Sequence, residues 1–158
     1  MKKMDFDIVE TPFSVTLYGF RGKMDGQSIP VVGKRLMDAM WTELKRNGIH
    51  SKGLNHWVYL PNSEMFVGVE LNDGVEIDDN AAIEANSLEK YEVKLVRYLR
   101  SVHRGDYAAL PGIWSSLLSR LKEIGETLSP PSLEIYGHWN PDPNKAETTI
   151  LIGLAAKE

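Results

Sequence analysis

The chain has 158 residues, 42% of them hydrophobic and 25% charged, which excludes bulk disorder. Lys and Arg number 18 against 22 Asp and Glu, a formal charge of −4, so the basic footprint of a nucleic-acid binder is missing. There is no cysteine, which excludes disulfide scaffolds, thiolate metal sites and cysteine nucleophiles together.

In chain order, the opening MKKMDFDIVE has two lysines but no apolar h-region, and no apolar run approaches the roughly 20 residues of a membrane span. The expectation is a cytoplasmic protein that does not bind membranes. FSVTLYGF (13–20) then alternates as a strand. Over 30–47, Leu36, Met37, Met40, Trp41 and Leu44 mark one face of a helix, and Gly48 follows as its stop. HWVYLP (56–61) and MFVGVEL (65–71) flank PNSE and predict a hairpin. NDGVEIDDNAAIEANS is acidic, carries turn signals and lacks an apolar period, so a connection is expected at about 80–88.

YEVKLVRYLRSV (91–102) predicts one long strand. A second helix is expected over 110–124, from Leu110, Ile113, Trp114, Leu117, Leu118, Leu121 and Ile124. Pro111 falls in its first turn and Gly125 just past its end. SLEIYGHW (132–139) and ETTILIGLAA (147–156) flank NPDPNKA as a second hairpin.

The order is strand–helix–strand–strand, twice. Each helix carries Trp followed three residues on by Leu (Trp41 and Leu44, Trp114 and Leu117). Each last strand carries one central glycine, Gly68 or Gly153. An internal duplication is therefore predicted, in an α+β fold of two β-α-β-β repeats, about 12–79 and 89–158, within one domain spanning 1–158. Each hairpin would cover one face with its own helix, leaving the opposite faces to meet or to frame a cleft.

Charge is uneven. Nine acidic residues lie between Glu64 and Glu92 against Lys90 alone, whereas Lys94, Arg97, Arg100, Arg104, Arg120 and Lys122 face only Asp106 over 93–122. Two solvated surfaces that attract one another are the expectation, with the basic strand pairing to the acidic connection.

Strand alternation puts Val58 and Leu60 on one face of the first hairpin and Trp57 and Tyr59 on the other. In the second hairpin Leu133 and Ile135 share a face, and Glu134, Tyr136 and His138 the opposite one. The aliphatic faces suit packing under the helices. The other face is either a solvated sheet surface or an aromatic-lined pocket with a carboxylate in it. Such a pocket would attract a lipophilic cation, through Glu134 and the rings of Trp57, Tyr59 and Tyr136. It could equally hold a catalytic acid. Glu70 alternates away from Val67, Val69 and Leu71 and is a secondary candidate. Trp41 and Trp114, on the helix stripes, are expected in the core. His103 either contacts a ligand at the groove mouth or bonds locally, and Trp139 either closes over a ligand or sits on the surface.

The order and spacing of these segments resemble the GyrI-like small-molecule-binding domain, also called the AraC-type effector-binding domain. The resemblance rests on VHRG (102–105) leading into the helix with Trp114, then LEIY (133–136), NPDP (140–143) and TILIGL (149–154). In the first half it rests on YLPNSEMFVGVEL (59–71). It covers nearly the whole chain and is strongest from Tyr98 onward. It implies a concave double-repeat domain whose groove binds small, often aromatic or cationic, compounds. It also implies that the Glu-x-Tyr pattern, here Glu134 and Tyr136, lies in the groove. Many members are fused to a DNA-binding segment, whereas here the repeat begins by Phe13, so a stand-alone member without direct nucleic-acid binding is expected. Some stand-alone members resemble hydrolases of reactive natural products, and others are named for gyrase inhibition. A hydrolase and a protein-interaction module, with a homodimer or a protein partner, thus stand beside the binder.

No phosphate loop and no G-x-S-x-G elbow occur. His50, His56, His103 and His138 show no zinc-binding spacing. The tip at Asn140, Asp142 and Asn144 mimics a calcium loop, but Lys145 stands where the glycine belongs and Leu151 where the closing Glu belongs. No metal and no cofactor is expected.

Overall fold

Two amphipathic helices and two hairpins need a common surface to bury their apolar sides, and an antiparallel sheet supplies it. The computed structural model describes residues 5–72, 88–138 and 140–157. Its elements are β1 (Asp7–Val9), β2 (Phe13–Lys23), α1 (Ile29–Arg46), β3 (His56–Leu60), β4 (Glu64–Val69), β5 (Glu89–Leu95), β6 (Arg97–Arg104), α2 (Leu110–Glu123), β7 (Leu128–Tyr136) and β8 (Glu147–Leu154). Both helices begin with a proline in the first turn, where its missing N–H does least harm. Both end on a left-handed glycine, Gly48 at φ 64° and Gly125 at φ 80°. The following amides, of Ile49 and Glu126, close back onto the carbonyls of Leu44 and Leu121.

The eight strands form one open antiparallel sheet in the order β1-β6-β8-β7-β3-β4-β2-β5. Read outward from the centre, this is β7-β8-β6 on one side and β3-β4-β2 on the other. The two β-α-β-β units are therefore related by an approximate two-fold axis at the β3–β7 junction. Val58 faces Leu133 across that junction. Tyr59 and Glu134, each one residue further along its own strand, thus hold equivalent positions. The edge strands are exchanged: β1 precedes the first unit but pairs with β6, and β5 precedes the second unit but pairs with β2.

Residues 91–102 are not one strand. The chain bends at Val96, which is 56% exposed, and sends β5 and β6 to opposite regions of the sheet. Alternation hides this break because the apolar period resumes on its far side. Arg97 follows the bend with its side chain only 5% exposed. Its guanidinium donates to both carboxylate oxygens of Glu10 (2.7 and 3.2 Å), to both of Glu126 (3.0 and 2.9 Å) and to the carbonyl of Ala155 (2.9 Å). This bidentate clamp ties the segments next to β1, β7 and β8 together. Arg97 therefore pairs with Glu10 and Glu126, and Arg104 with Glu147. The expected acidic partner, 80–87, lies outside the described residues.

The two faces of the sheet are used the other way round from expectation. Val58 and Leu133 join Val15, Leu17, Phe66, Val93, Leu95 and Leu151 in a core made of strands alone. The sheet curls around this core, so that Phe13 of β2 meets Tyr98 of β6 edge-on at 5.8 Å, although four strands lie between them in the order. Both helices pack on the opposite face. Val32, Leu36, Met40 and Leu44 of α1 cover Met65, Val67 and Val69, and Leu110, Leu117 and Leu121 of α2 cover Leu99, Ile150 and Ile152. Burying each such aliphatic side chain contributes about 1.5–3 kcal/mol. The face bearing Trp57, Tyr59, Glu134 and Tyr136 is thus the helical face, and its central strands run between α1 and α2. No helix among the described residues is long and apolar enough to cross a membrane.

Candidate functional site

Because each helix sits over its own unit, the β3–β7 junction between them is left uncovered. A groove of about 1160 Å³ opens there. Lys34, Met37 and Trp41 of α1 form one wall, Pro111, Trp114 and Leu118 of α2 the other, and Trp57, Tyr59, Glu134 and Tyr136 the floor. The lining is mostly apolar and aromatic, with few polar groups, the usual composition of a small-molecule site.

Glu134 is the centre of the floor and only 3% exposed. Its Oε1 accepts a hydrogen bond from the Tyr136 hydroxyl (2.7 Å) and another from the Tyr59 hydroxyl, and its Oε2 accepts one from the Trp114 indole N–H (2.8 Å). Burial, and then the adjacent Glu134 charge, push both phenols well above their ordinary range, so Tyr59 and Tyr136 remain donors. All three partners are neutral. Among the described residues no basic side chain forms an ion pair with Glu134. The other charged lining residue, Lys34, is exposed.

Aromatic packing holds this arrangement. Tyr59 meets Trp114 edge-on at 5.7 Å, Trp57 meets Tyr136 at 5.3 Å, and Tyr107 meets Tyr136 at 5.4 Å. Trp57 packs against α1 at Gly33, where any Cβ would collide with the indole. Trp41 is fixed by its indole N–H donating to Asn55 Oδ1 at 2.8 Å.

Of the residues singled out from the sequence, Trp57, Tyr59, Glu134 and Tyr136 come together in the groove. Glu70 does not: it lies one residue past β4, where Lys52 pairs with its carboxylate at 3.3 Å. His138 is exposed two residues beyond β7, near Gly53 at the groove's margin, since alternation ends where the strand ends. His103 bonds locally, its Nε2 lying 3.1 Å from the Asp106 carbonyl. Trp139 lies outside the described residues. Trp41 and Trp114, expected in the core, line the groove. They sit at the margin of each apolar stripe, which overhangs the uncovered junction. Asn55, just ahead of β3, gave no signal in the sequence. The described residues contain no group of three or more His, Asp or Glu placed to hold a metal.

No family model matches the sequence, and no curated protein does. Solved structures share its fold. A Staphylococcus aureus MU50 protein assigned to bacterial transcription regulation superposes with a TM-score of 0.62 at 14% identity, over 98% of this chain and 100% of that one. SAV2435 bound to tetraphenylphosphonium superposes with a TM-score of 0.61 at 15% identity, covering 96% and 94% of the two chains. A hydrolase from Listeria innocua superposes with a TM-score of 0.53 at 10% identity, covering 98% and 94%. At these identities the likeness concerns the fold.

Proposed function

We propose that the chain is a GyrI-like effector-binding domain whose groove takes hydrophobic, cationic small molecules. The two repeats, 12–79 and 89–158, form one domain joined by the acidic connection 80–88. The observation that carries this reading is Glu134: a buried carboxylate on an aromatic floor, met by neutral donors and, among the described residues, by no cation. An isolated buried charge is costly, and dipolar donors offset only part of that cost. A lipophilic cation would supply the opposite charge, and the faces of Trp57, Tyr59, Trp114 and Tyr136 would add cation–π attraction. That SAV2435, with the same fold, binds tetraphenylphosphonium supports the assignment. Trp57, Tyr59, Glu134 and Tyr136 are the proposed ligand-binding residues. The test is intrinsic Trp fluorescence of wild type and Glu134→Gln, titrated with a lipophilic cation and its neutral carbon isostere. The substitution should weaken the cation and spare the isostere. Equal losses for both would count against the charge role.

A second reading is a hydrolase. The phenol–carboxylate cluster of Tyr59, Glu134 and Tyr136 could position water or deliver a proton, and a Listeria innocua hydrolase shares the fold. It requires turnover of a reactive electrophile and a pH–rate profile altered in Glu134→Gln. Reversible binding without product would leave the binder. The protein-interaction reading depends on the acidic stretch, most of which lies outside the described residues.

A further inference from the structure

The described lining of the groove carries two formal charges, and they are opposite in sign: Glu134 on the floor and Lys34 on the α1 wall. Among the described residues Glu134 receives only neutral donors, and no carboxylate pairs with Lys34. The start of α1 does nothing to cancel the lysine charge. Ile29 and Pro30 line the groove there, the first turn holds no acidic residue, and the N-cap Ser28 makes no side-chain bond. Trp57 sets the separation of the two charges. It stands opposite Glu134 in the β3–β7 register, and the far edge of its indole reaches Gly33, the residue before Lys34. A ligand lying along this ring has Glu134 at one end and Lys34 at the other.

Granted the cation-binding reading above, we propose that the groove selects zwitterions: aromatic compounds with a cationic group for Glu134 and, about one indole length away, a carboxylate or similar anion for Lys34. A simple cation meets Glu134 but leaves Lys34 as a like charge at its far end. A zwitterion meets both charges, and its net charge matches that of the groove. Because Lys34 is exposed, the anion keeps part of its hydration and is not stranded among apolar walls. The four-carbon stem of the lysine lets its ammonium follow anions at slightly different distances. The same exposure limits the gain to that of a partly screened ion pair, about three- to five-fold in affinity. Lys34 thereby acts as a specificity residue: it decides what the far end of the ligand carries, as Glu134 decides the near end.

The test is calorimetric titration at about pH 7 and low salt with a matched set on one biphenyl scaffold. The zwitterion has a trimethylammoniomethyl group at one end and a carboxylate at the other. The monocation has a carboxamide in place of the carboxylate, and the neutral compound also has a tert-butylmethyl group in place of the ammonium. Wild type should bind the zwitterion about three- to five-fold more tightly than the monocation. Lys34→Met keeps an apolar stem and removes the charge, so the ratio should fall to about one, and Lys34→Glu should invert it. Because the cationic end is common to both ligands, the ratio isolates the anion's contribution. Equal binding of zwitterion and monocation by wild type, both tighter than the neutral compound, would overturn the inference and leave the cation reading standing. A preference for the zwitterion kept in Lys34→Met would overturn it as well. If the monocation binds no better than the neutral compound, or nothing binds, the cation reading fails and takes the inference with it.

Discussion

Two buried charges in this molecule are treated in opposite ways. Arg97 is enclosed by two carboxylates and a carbonyl, each at 2.7–3.2 Å, and its charge is fully met within the chain. Glu134 is equally buried but, among the described residues, receives only phenol and indole donors. The first cluster sets one guanidinium against two carboxylates and has a structural role. The second sets a carboxylate against neutral donors at the floor of an apolar groove. On the proposed reading, burial of a charge alone does not mark a binding site; burial without an opposite charge does.

The sharpest way to break the comparison is to unmatch the first cluster. Arg97→Met leaves Glu126, whose side chain is 12% exposed, facing Glu10 with no cation between them. The melting temperature should fall by on the order of 5–10 °C, the largest stability loss of the set. Cation affinity should stay within about two-fold, since the clamp does not line the groove. Glu134→Gln should do the reverse. Cation affinity should drop about ten- to a hundred-fold, with a melting temperature within a few degrees of wild type. A variant that moves both readouts together would dissolve the distinction.

Gly33→Leu sharpens the account of the groove wall. Its side chain would enter the space of the Trp57 indole. The expected cost is about 1–3 kcal/mol of stability, read by urea unfolding, and a several-fold loss of ligand affinity. The smallest effects concern pH. Arg97 holds the Glu10 and Glu126 carboxyls below their ordinary 4.5, chiefly by hydrogen bonding. On acidification the unfolded chain takes up those protons first, so this stability is present above about pH 4.5 and is lost as pH falls through the folded values. In Arg97→Met that slope should flatten. Burial holds His56 below its ordinary 6.5, and its Nδ1–H donates to the Leu54 carbonyl at 3.0 Å. Its contribution is present above about pH 6.5 and is lost as pH falls through the folded value. His56→Gln should remove that segment of the curve, measured as melting temperature against pH.

Much of this was legible in the sequence, for reasons particular to certain residues. The stop glycines Gly48 and Gly125 and the periodic Leu36, Met40 and Leu44 bounded the helices within a residue or two. Period-two alternation alone puts Trp57 with Tyr59 and Glu134 with Tyr136. It could not say which face the helices cover, because Val58 and Leu133 are apolar whether they meet a helix or another strand. Nor could it find the bend at Val96, where the pattern continues through an exposed apolar residue. Three-residue β1 is too short to carry a period, and its pairing with β6 depends on the exchange of edge strands. Periodicity places Trp41 and Trp114 in the core because it does not resolve the margins of a stripe. Only the placement of two helices on either side of the β3–β7 junction turns those margins into walls.

The most direct measurement is a calorimetric titration of the wild-type protein with tetraphenylphosphonium and, in parallel, with tetraphenylborate, two ions of nearly the same shape and opposite charge. An unmatched Glu134 predicts saturable binding of the phosphonium and at least about a ten-fold weaker response to the borate. Equal affinity for the two, or tighter binding of the borate, would contradict the claim that the buried carboxylate sets what the groove accepts.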